Sequence, residues 1–393
     1  MSAAIKFFKY LVGLLLVAVL GAYFWFWATP VGINNYINKV SFQLAIDSPE
    51  LITALGIIDN TPLDFHSGKL ASYTLEAEEE SLARLRTARA GLDHYGPEGL
   101  EGQELLSWQI AAWFFEDLIR SAEHPYGGYM VNQISGPMVN LPQFLTDRHQ
   151  IINDKSLTRY ISRLEEFGRV IGEVKLRVMD ARDNGTVPPD FIIEKVLVGM
   201  RAFSEASGND NVLIANLPAK LEKLDNISPE RKLLLSEQAV DIVDNQIVPQ
   251  YLEMIALFET LLSETNHDAG IWRLPQGEAI YTQALKSNTT TDMSAEQIHQ
   301  LGLSEVARIE LEMAQILIEL GMTEGSIFER IQTLMELPEH NFPNTDEGRA
   351  EQIAYLNQVN DQLMAMADQH FVTIPPQPLE ILRVPLYAQD SSP

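Results

Sequence analysis

Between Ser156 and Gly185 the sequence reads SLTRYISRLEEFGRVIGEVKLRVMDARDNG, and its apolar residues recur at intervals of three and four. Leu157, Tyr160, Ile161, Leu164, Phe167, Val170, Ile171, Val174 and Val178 then share one stripe of a single long helix, which Gly185 is placed to stop. A stripe of this length must be covered along its whole extent, so other helices have to surround it. The same periodicity gives helices over roughly Asn35 to Ala54, Glu76 to Ala90 and Gly102 to Ser121. Another opens at Pro188 and Pro189 and runs through Phe203. A further one opens at Ser228-Pro229-Glu230 and reaches Glu264 with a kink at Pro249. The final helices cover about Ser294 to Leu320, Glu324 to Leu337 and Thr345 to His370. Two stretches break the pattern. His124 to Leu145 holds too many Gly and Pro for a helix and is expected to pack down through its aromatics. Leu379 to Val384 alternates like a strand behind the Pro-rich TIPPQP. The expected fold class is mainly α with very little strand.

Ahead of these helices, Tyr10 to Ala28 runs YLVGLLLVAVLGAYFWFWA without a charge, long enough to cross a hydrocarbon core of about 30 Å. Lys6 and Lys9 precede it and aromatics crowd its far end, as for cytosolic positive charge and an interfacial belt. A cleavable signal peptide is the competing reading; its apolar region is usually shorter, and bulky aromatics stand where a cleavage site wants small residues. The expected organisation is a cytosolic tail over residues 1–9, a single-pass inner-membrane anchor over residues 10–28, and one helical domain over residues 29–393 in the periplasm. A formal charge of -26 opposes binding to nucleic acid. The absence of cysteine removes disulfides, thiolate metal sites, a cysteine nucleophile and a lipidated cysteine together.

Chemistry has few candidates. HExxH, GxSxG, GxxxxGK[ST] and a strand-linked GxGxxG are all missing from the sequence. Two Glu-x-x-His pairs, Glu264 with His267 and Glu296 with His299, have the spacing of a di-iron bundle. His267 lies where its helix should be ending, and Glu296 stands in a first helical turn where an acid favours the dipole regardless. His299 has apolar neighbours on its helix face, Ala295, Leu303 and Val306, which reads as a hydrogen-bonded histidine at a core boundary. The acidic run EAEEES, Glu76 to Ser81, reads as a solvated helix face. Trp108, Trp113, Phe114 and Phe115 read as core packing on a helix buried on two sides. Ser294 and Gln297 have the spacing of a capping box.

The run GIWRLPQGEAIYTQALKSNTTTDMSAEQIHQLGLSEVARI, Gly270 to Ile309, closely resembles a segment characteristic of the bacterial DUF885 family. SPELITALG at Ser48 to Gly56, NQISGPMVNLPQFL and GTVPPDF at Gly185 to Phe191 are similar to its other motifs, in the same order. The resemblance covers most of residues 45 to 385. It implies an exported or membrane-attached protein with a helical fold like that of zinc metallopeptidases with a helical cleft. The family's zinc helix, with a His-Glu pair and Gly-His-His, follows the segment that PLEILRVPLY, Pro378 to Tyr387, resembles. No catalytic residue, metal ligand or cofactor contact is therefore assigned in this chain, which is expected to be inactive by itself, although the resemblance implies zinc and a peptide substrate for the complete protein. Tyr281, Thr289, Thr290, Thr291 and His299 are candidate contacts on the opposing wall of a peptide cleft. For the threonines an equal alternative is an extended β-branched lead-in, with Asp292 helping to cap the next helix. A non-catalytic envelope protein that binds peptides or an assembly partner is the rival function.

Overall fold

The long stripe folds as expected, and it organises the molecule. The computed structural model describes residues 29–383 together with Gly13 and Gly21; the anchor expected over residues 10–28 otherwise lies outside the described residues. Among those described, no helix is long and apolar enough to cross a membrane, and none of the structure is strand. The chain divides into two units, Met1–Asp292 and Met293–Pro393.

In the first unit α1 (Ile33–Ile46), α2 (Pro49–Leu55), α3 (Leu75–Leu92) and α4 (Gly102–Ser121) are followed by α5 (Pro137–Asp147) and the long α6 (Asp154–Asp183). Then come α7 (Asp190–Glu205), the short α8 (Val212–Ala215) and α9 (Leu217–Glu222), α10 (Pro229–Ile242), α11 (Val248–Glu264) and α12 (Gly277–Thr289). Helix α6 starts at a reciprocal cap between Asn153 and Ser156. All nine predicted stripe residues are buried, each worth about 2 kcal/mol in area removed from water. They pack against α5, α10 and α11, while α7 pairs with α11. A smaller core joins Ile33, Tyr36 and Val40 of α1 to Ala88 and Leu92 of α3 and Phe115 of α4. Phe114 beside it is 47% exposed, so α4 is not buried on two sides as expected.

Several expectations need correction. The helix expected over Asn35 to Ala54 is two helices, because Pro49 cannot donate to a continuing turn and starts α2 instead. The Gly- and Pro-rich stretch after His124 contains helix α5, with Pro137 at its start and Pro142 inside it. Pro142 has no N–H for the carbonyl of Met138, and the buried Tyr251 hydroxyl donates to that carbonyl at 3.1 Å. The missing backbone bond is thereby replaced. The kink expected at Pro249 takes the form of a π-helical segment, Val243–Ile247, joining α10 to α11, whose wider turn accommodates the proline. Residues 379–383 form no strand, since a lone strand has no ladder to join; Val384 lies outside the described residues.

The second unit contains α13 (Ala295–Glu319), α14 (Ile327–Met335) and α15 (Asp346–Met364). The Ser294–Gln297 capping box forms as the sequence indicates. Among the described residues of this unit only Leu317, Gly348 and Ala367 are buried. Val306, Ile309 and Ile316 form an exposed apolar row on α13 that Leu320 continues at its C-cap, and Leu311 is 75% exposed on a different face.

Candidate functional site

A cleft of about 700 Å³ opens in the first unit between α3, the loop 125–130 and the C-terminal half of α6. Its floor is set by a network on α6. Glu173 accepts the backbone N–H of Tyr73 at 2.7 Å, and Arg169 bonds Glu173 at 2.6 Å and the carbonyl of Leu70 at 3.0 Å. The loop 70–74 is thus pinned to α6, and Thr74 caps α3 by accepting from Ala77 N–H. On the opposite side Tyr126 donates to Asp180 at 3.0 Å, and the Thr186 hydroxyl donates to the Tyr126 carbonyl. Gly136 closes this loop at φ 110°, where a Cβ would stand 2.5 Å from the Met130 carbonyl, so only glycine fits.

The lining combines three tyrosines, Tyr73, Tyr126 and Tyr129, with two arginines and the acids that accompany them. Arg84 pairs with Asp47 at 2.7 Å and Glu80 at 3.6 Å, while Arg177 pairs with Glu78 at 2.6 Å. Burial raises the phenols of Tyr73 and Tyr129, and the hydrogen bond to Asp180 raises that of Tyr126, so all three remain neutral donors near pH 7. Such a cleft offers aromatic surface, hydroxyl donors and charges of both signs, in the volume range of small-ligand sites. The run EAEEES is accordingly more than a solvated face: Glu78 and Glu80 belong to the rim of this cleft. Asp47 and Arg84 also line an adjoining cleft of about 500 Å³ between α1 and α3, with Tyr36, Val40 and Leu44 on its walls.

A second concentration of charge lies at the other end of α6. Arg163, fully buried, donates from Nε to the carbonyl of Lys69 at 3.1 Å, from Nη1 to His149 Nδ1 at 2.8 Å and from Nη2 to Thr53 Oγ1 at 2.7 Å. Its plane also covers the Phe144 ring. Because His149 Nδ1 accepts from Arg163, Nε2 carries the proton and donates to the Ser156 carbonyl. Burial and then the charge of Arg163 push His149 down to about 4. Nearby, Asp64 feels burial that raises its carboxyl, but bonds from Ser67 and Asn60 and the charge of Arg159 outweigh it and hold the carboxyl low. His66, wholly buried, has Asp59 and Asp64 at 3.4 Å from its two nitrogens, and burial still keeps it below the usual imidazole range. Within this cluster Arg163 has all its nitrogens served, as in a structural tie.

Among the described residues no group of three or more His, Asp or Glu side chains could hold a metal ion. The zinc implied by the resemblance therefore finds no fit among them, and no chemical step is derived through it. Glu264 is engaged by Arg182 at 2.7 Å and His267 by Asp190 at 2.8 Å; Glu296 accepts from Gln300. Neither Glu-x-x-His pair acts as a unit.

The five candidate contacts fall in both units. Tyr281 is exposed on α12, which Asp117 of α4 holds by accepting from Gln283 at 2.9 Å and Ser287 at 2.6 Å. Thr289 ends α12 with its hydroxyl on the Leu285 carbonyl, and its oxygen lies 2.9 Å from that of Thr291. Thr290 is the C-cap at φ 53°, a left-handed conformation that a β-branched residue adopts only under strain. The triplet is thus a helix exit rather than an extended lead-in, and Asp292 takes Lys286 at 2.6 Å instead of capping α13. His299 is exposed on α13 in the second unit, as are Ala295, Leu303 and Val306, so it has no core boundary to occupy. None of the five lines the large cleft. Arg177, Arg84 and the tyrosines that do line it were not singled out from sequence. The available signal was a charge on a buried helical stripe, which Arg163 and Arg177 both carry.

A comparison with curated proteins finds no match. Among solved structures the chain is similar to a candidate lipoprotein from Colwellia psychrerythraea, with TM-score 0.74 and 24% identity over 90% of this chain and 63% of that one. It is also similar to a candidate lipoprotein of unknown function from Shewanella oneidensis, with TM-score 0.61 and 17% identity over 91% of this chain and 61% of that one. The fold is shared, and this chain spans less than two thirds of either protein's length. A family model described as a bacterial protein of unknown function matches residues 49–393, and with that match across most of its length the chain belongs to the DUF885 family.

Proposed function

We propose that this chain is the peptide-binding helical part of an envelope protein, held at the inner membrane through residues 10–28 with its bulk in the periplasm. The observation that carries the reading is the 700 Å³ cleft, whose tyrosines, arginines and carboxylates suit a ligand with apolar groups and charges of both signs. The similar solved proteins are candidate lipoproteins, which agrees with an envelope site. With no cysteine to carry a lipid, this sequence would reach the same compartment through its apolar segment. In the complete protein the reading adds zinc-dependent peptide hydrolysis; alone, the chain binds without cleaving. Tyr281, Thr289, Thr290 and Thr291, exposed or half-buried on the first unit, and His299 on the second are kept as proposed peptide contacts.

The test is saturable binding of a fluorescent tripeptide pool to the 393-residue chain in mild detergent, compared with Ala181→Trp, which fills the cleft from its wall. The reading expects binding without product formation, and its loss in the variant. Equal binding by both forms would remove the cleft from the account, and stoichiometric zinc uptake with hydrolysis would overturn the assignment of chemistry to other residues. A reporter fused after residue 40 that is active in the cytosol would reverse the topology.

A further inference from the structure

Arg177 is 7% exposed, and its side chain lies in the wall of the cleft. Its Nη2 meets Glu78, yet its Nη1 has no hydrogen-bond partner. A guanidinium carries five N–H donors and cannot shed its charge, so leaving one nitrogen unserved in a buried place is costly unless something supplies an acceptor. The other buried arginine of the helix shows what satisfaction looks like: Arg163 uses Nε, Nη1 and Nη2 on three different partners. No atom of the cleft wall is placed to accept from Nη1, so that nitrogen has no partner, while Asp47 and Glu80 are paired with Arg84.

We propose that Arg177 anchors a carboxylate of the ligand, and that the cleft takes peptides by their free C-terminal carboxylate. The inference rests on the peptide-binding reading above and adds the group that is recognised. A carboxylate fits because its two oxygens match the fork of a guanidinium, one lying on Nη1 while Glu78, half-exposed on α3, is free to shift. The tyrosines would flank the preceding residues with aromatic surface and hydroxyl donors.

The experiment is equilibrium dialysis of the 393-residue chain in mild detergent against random tripeptides lacking Asp and Glu, supplied as free acids and as C-terminal amides, with retention read by mass spectrometry. Free acids should be retained at least tenfold more than amides. Arg177→Gln should lower retention of the acids to the level of the amides and leave the amides unchanged, so that the two perturbations do not add. Amides retained as well as acids, or acids retained undiminished by Arg177→Gln, would overturn the inference and leave peptide binding standing. Retention of neither by the unaltered chain would overturn both. If Arg177→Gln loses its helical circular dichroism, Arg177→Lys takes its place; the comparison of acid with amide needs no variant.

Discussion

Arg163 and Arg177 stand on one helix, fourteen residues apart and facing nearly the same way, separated by about 21 Å at 1.5 Å per residue. Both are buried, and their surroundings differ completely. Around Arg163 the partners are backbone carbonyls, a hydroxyl and a neutral imidazole, all closed off from solvent. Around Arg177 there is one carboxylate, itself partly exposed, and a cleft. The difference teaches that burial of a charge does not by itself distinguish a structural tie from a binding site. What separates them is whether every polar atom already has its partner.

That contrast can be broken first by truncation. Arg163→Met should cost about 3–5 kcal/mol in urea unfolding, because it strands His149, Thr53 and the Lys69 carbonyl in the interior. Equal costs for Arg163→Met and Arg177→Gln would erase the distinction.

The next largest effect is acidic. The folded chain holds His149 at about 4, while the unfolded imidazole has its ordinary value of 6.5. Between those values the unfolded chain takes up a proton that the folded chain refuses, so stability is full above 6.5 and falls as pH drops toward 4. The loss amounts to about 3 kcal/mol. Melting temperature against pH should show this fall, and His149→Gln should flatten it.

At the cleft end the effects on stability should be small. Arg177→Gln should lie within about 1 kcal/mol of the parent, since its partner Glu78 is well exposed. Smallest of all, Tyr126→Phe should cost about 0.5–1 kcal/mol by losing its bond to Asp180. A cost at the cleft as large as that at Arg163 would make the cleft part of the structural framework.

Much of the fold was legible because it depends on local spacing. The α6 stripe, the Ser294–Gln297 box and the bend near Pro249 each follow from residues within a turn or two of one another. Helix α5 was hidden by its own glycines and prolines. The carbonyl that makes Pro142 tolerable is served by a hydroxyl 113 residues further along the chain, and no local pattern carries that information. The site was illegible for the same reason. Arg163 and Arg177 look alike in sequence, and their roles are decided by Lys69, Thr53 and Glu78, which arrive from other elements. The apolar rows of α13 read correctly as a helix, but periodicity does not say what covers a face, and here Val306, Ile309 and Ile316 stay exposed.

The bond from Tyr251 to the Met138 carbonyl also fixes the order in which two positions can change. Replacing Tyr251 first takes from that carbonyl the donor that Pro142 cannot supply, whereas replacing Pro142 by alanine first gives it a backbone N–H before the hydroxyl is lost. A carbonyl oxygen has room for both donors, so the route through Pro142→Ala that keeps Tyr251 costs less than the route through Tyr251→Phe that keeps Pro142. Drift at these two sites is therefore biased in direction: the proline is given up more readily while the tyrosine stays than the tyrosine while the proline remains.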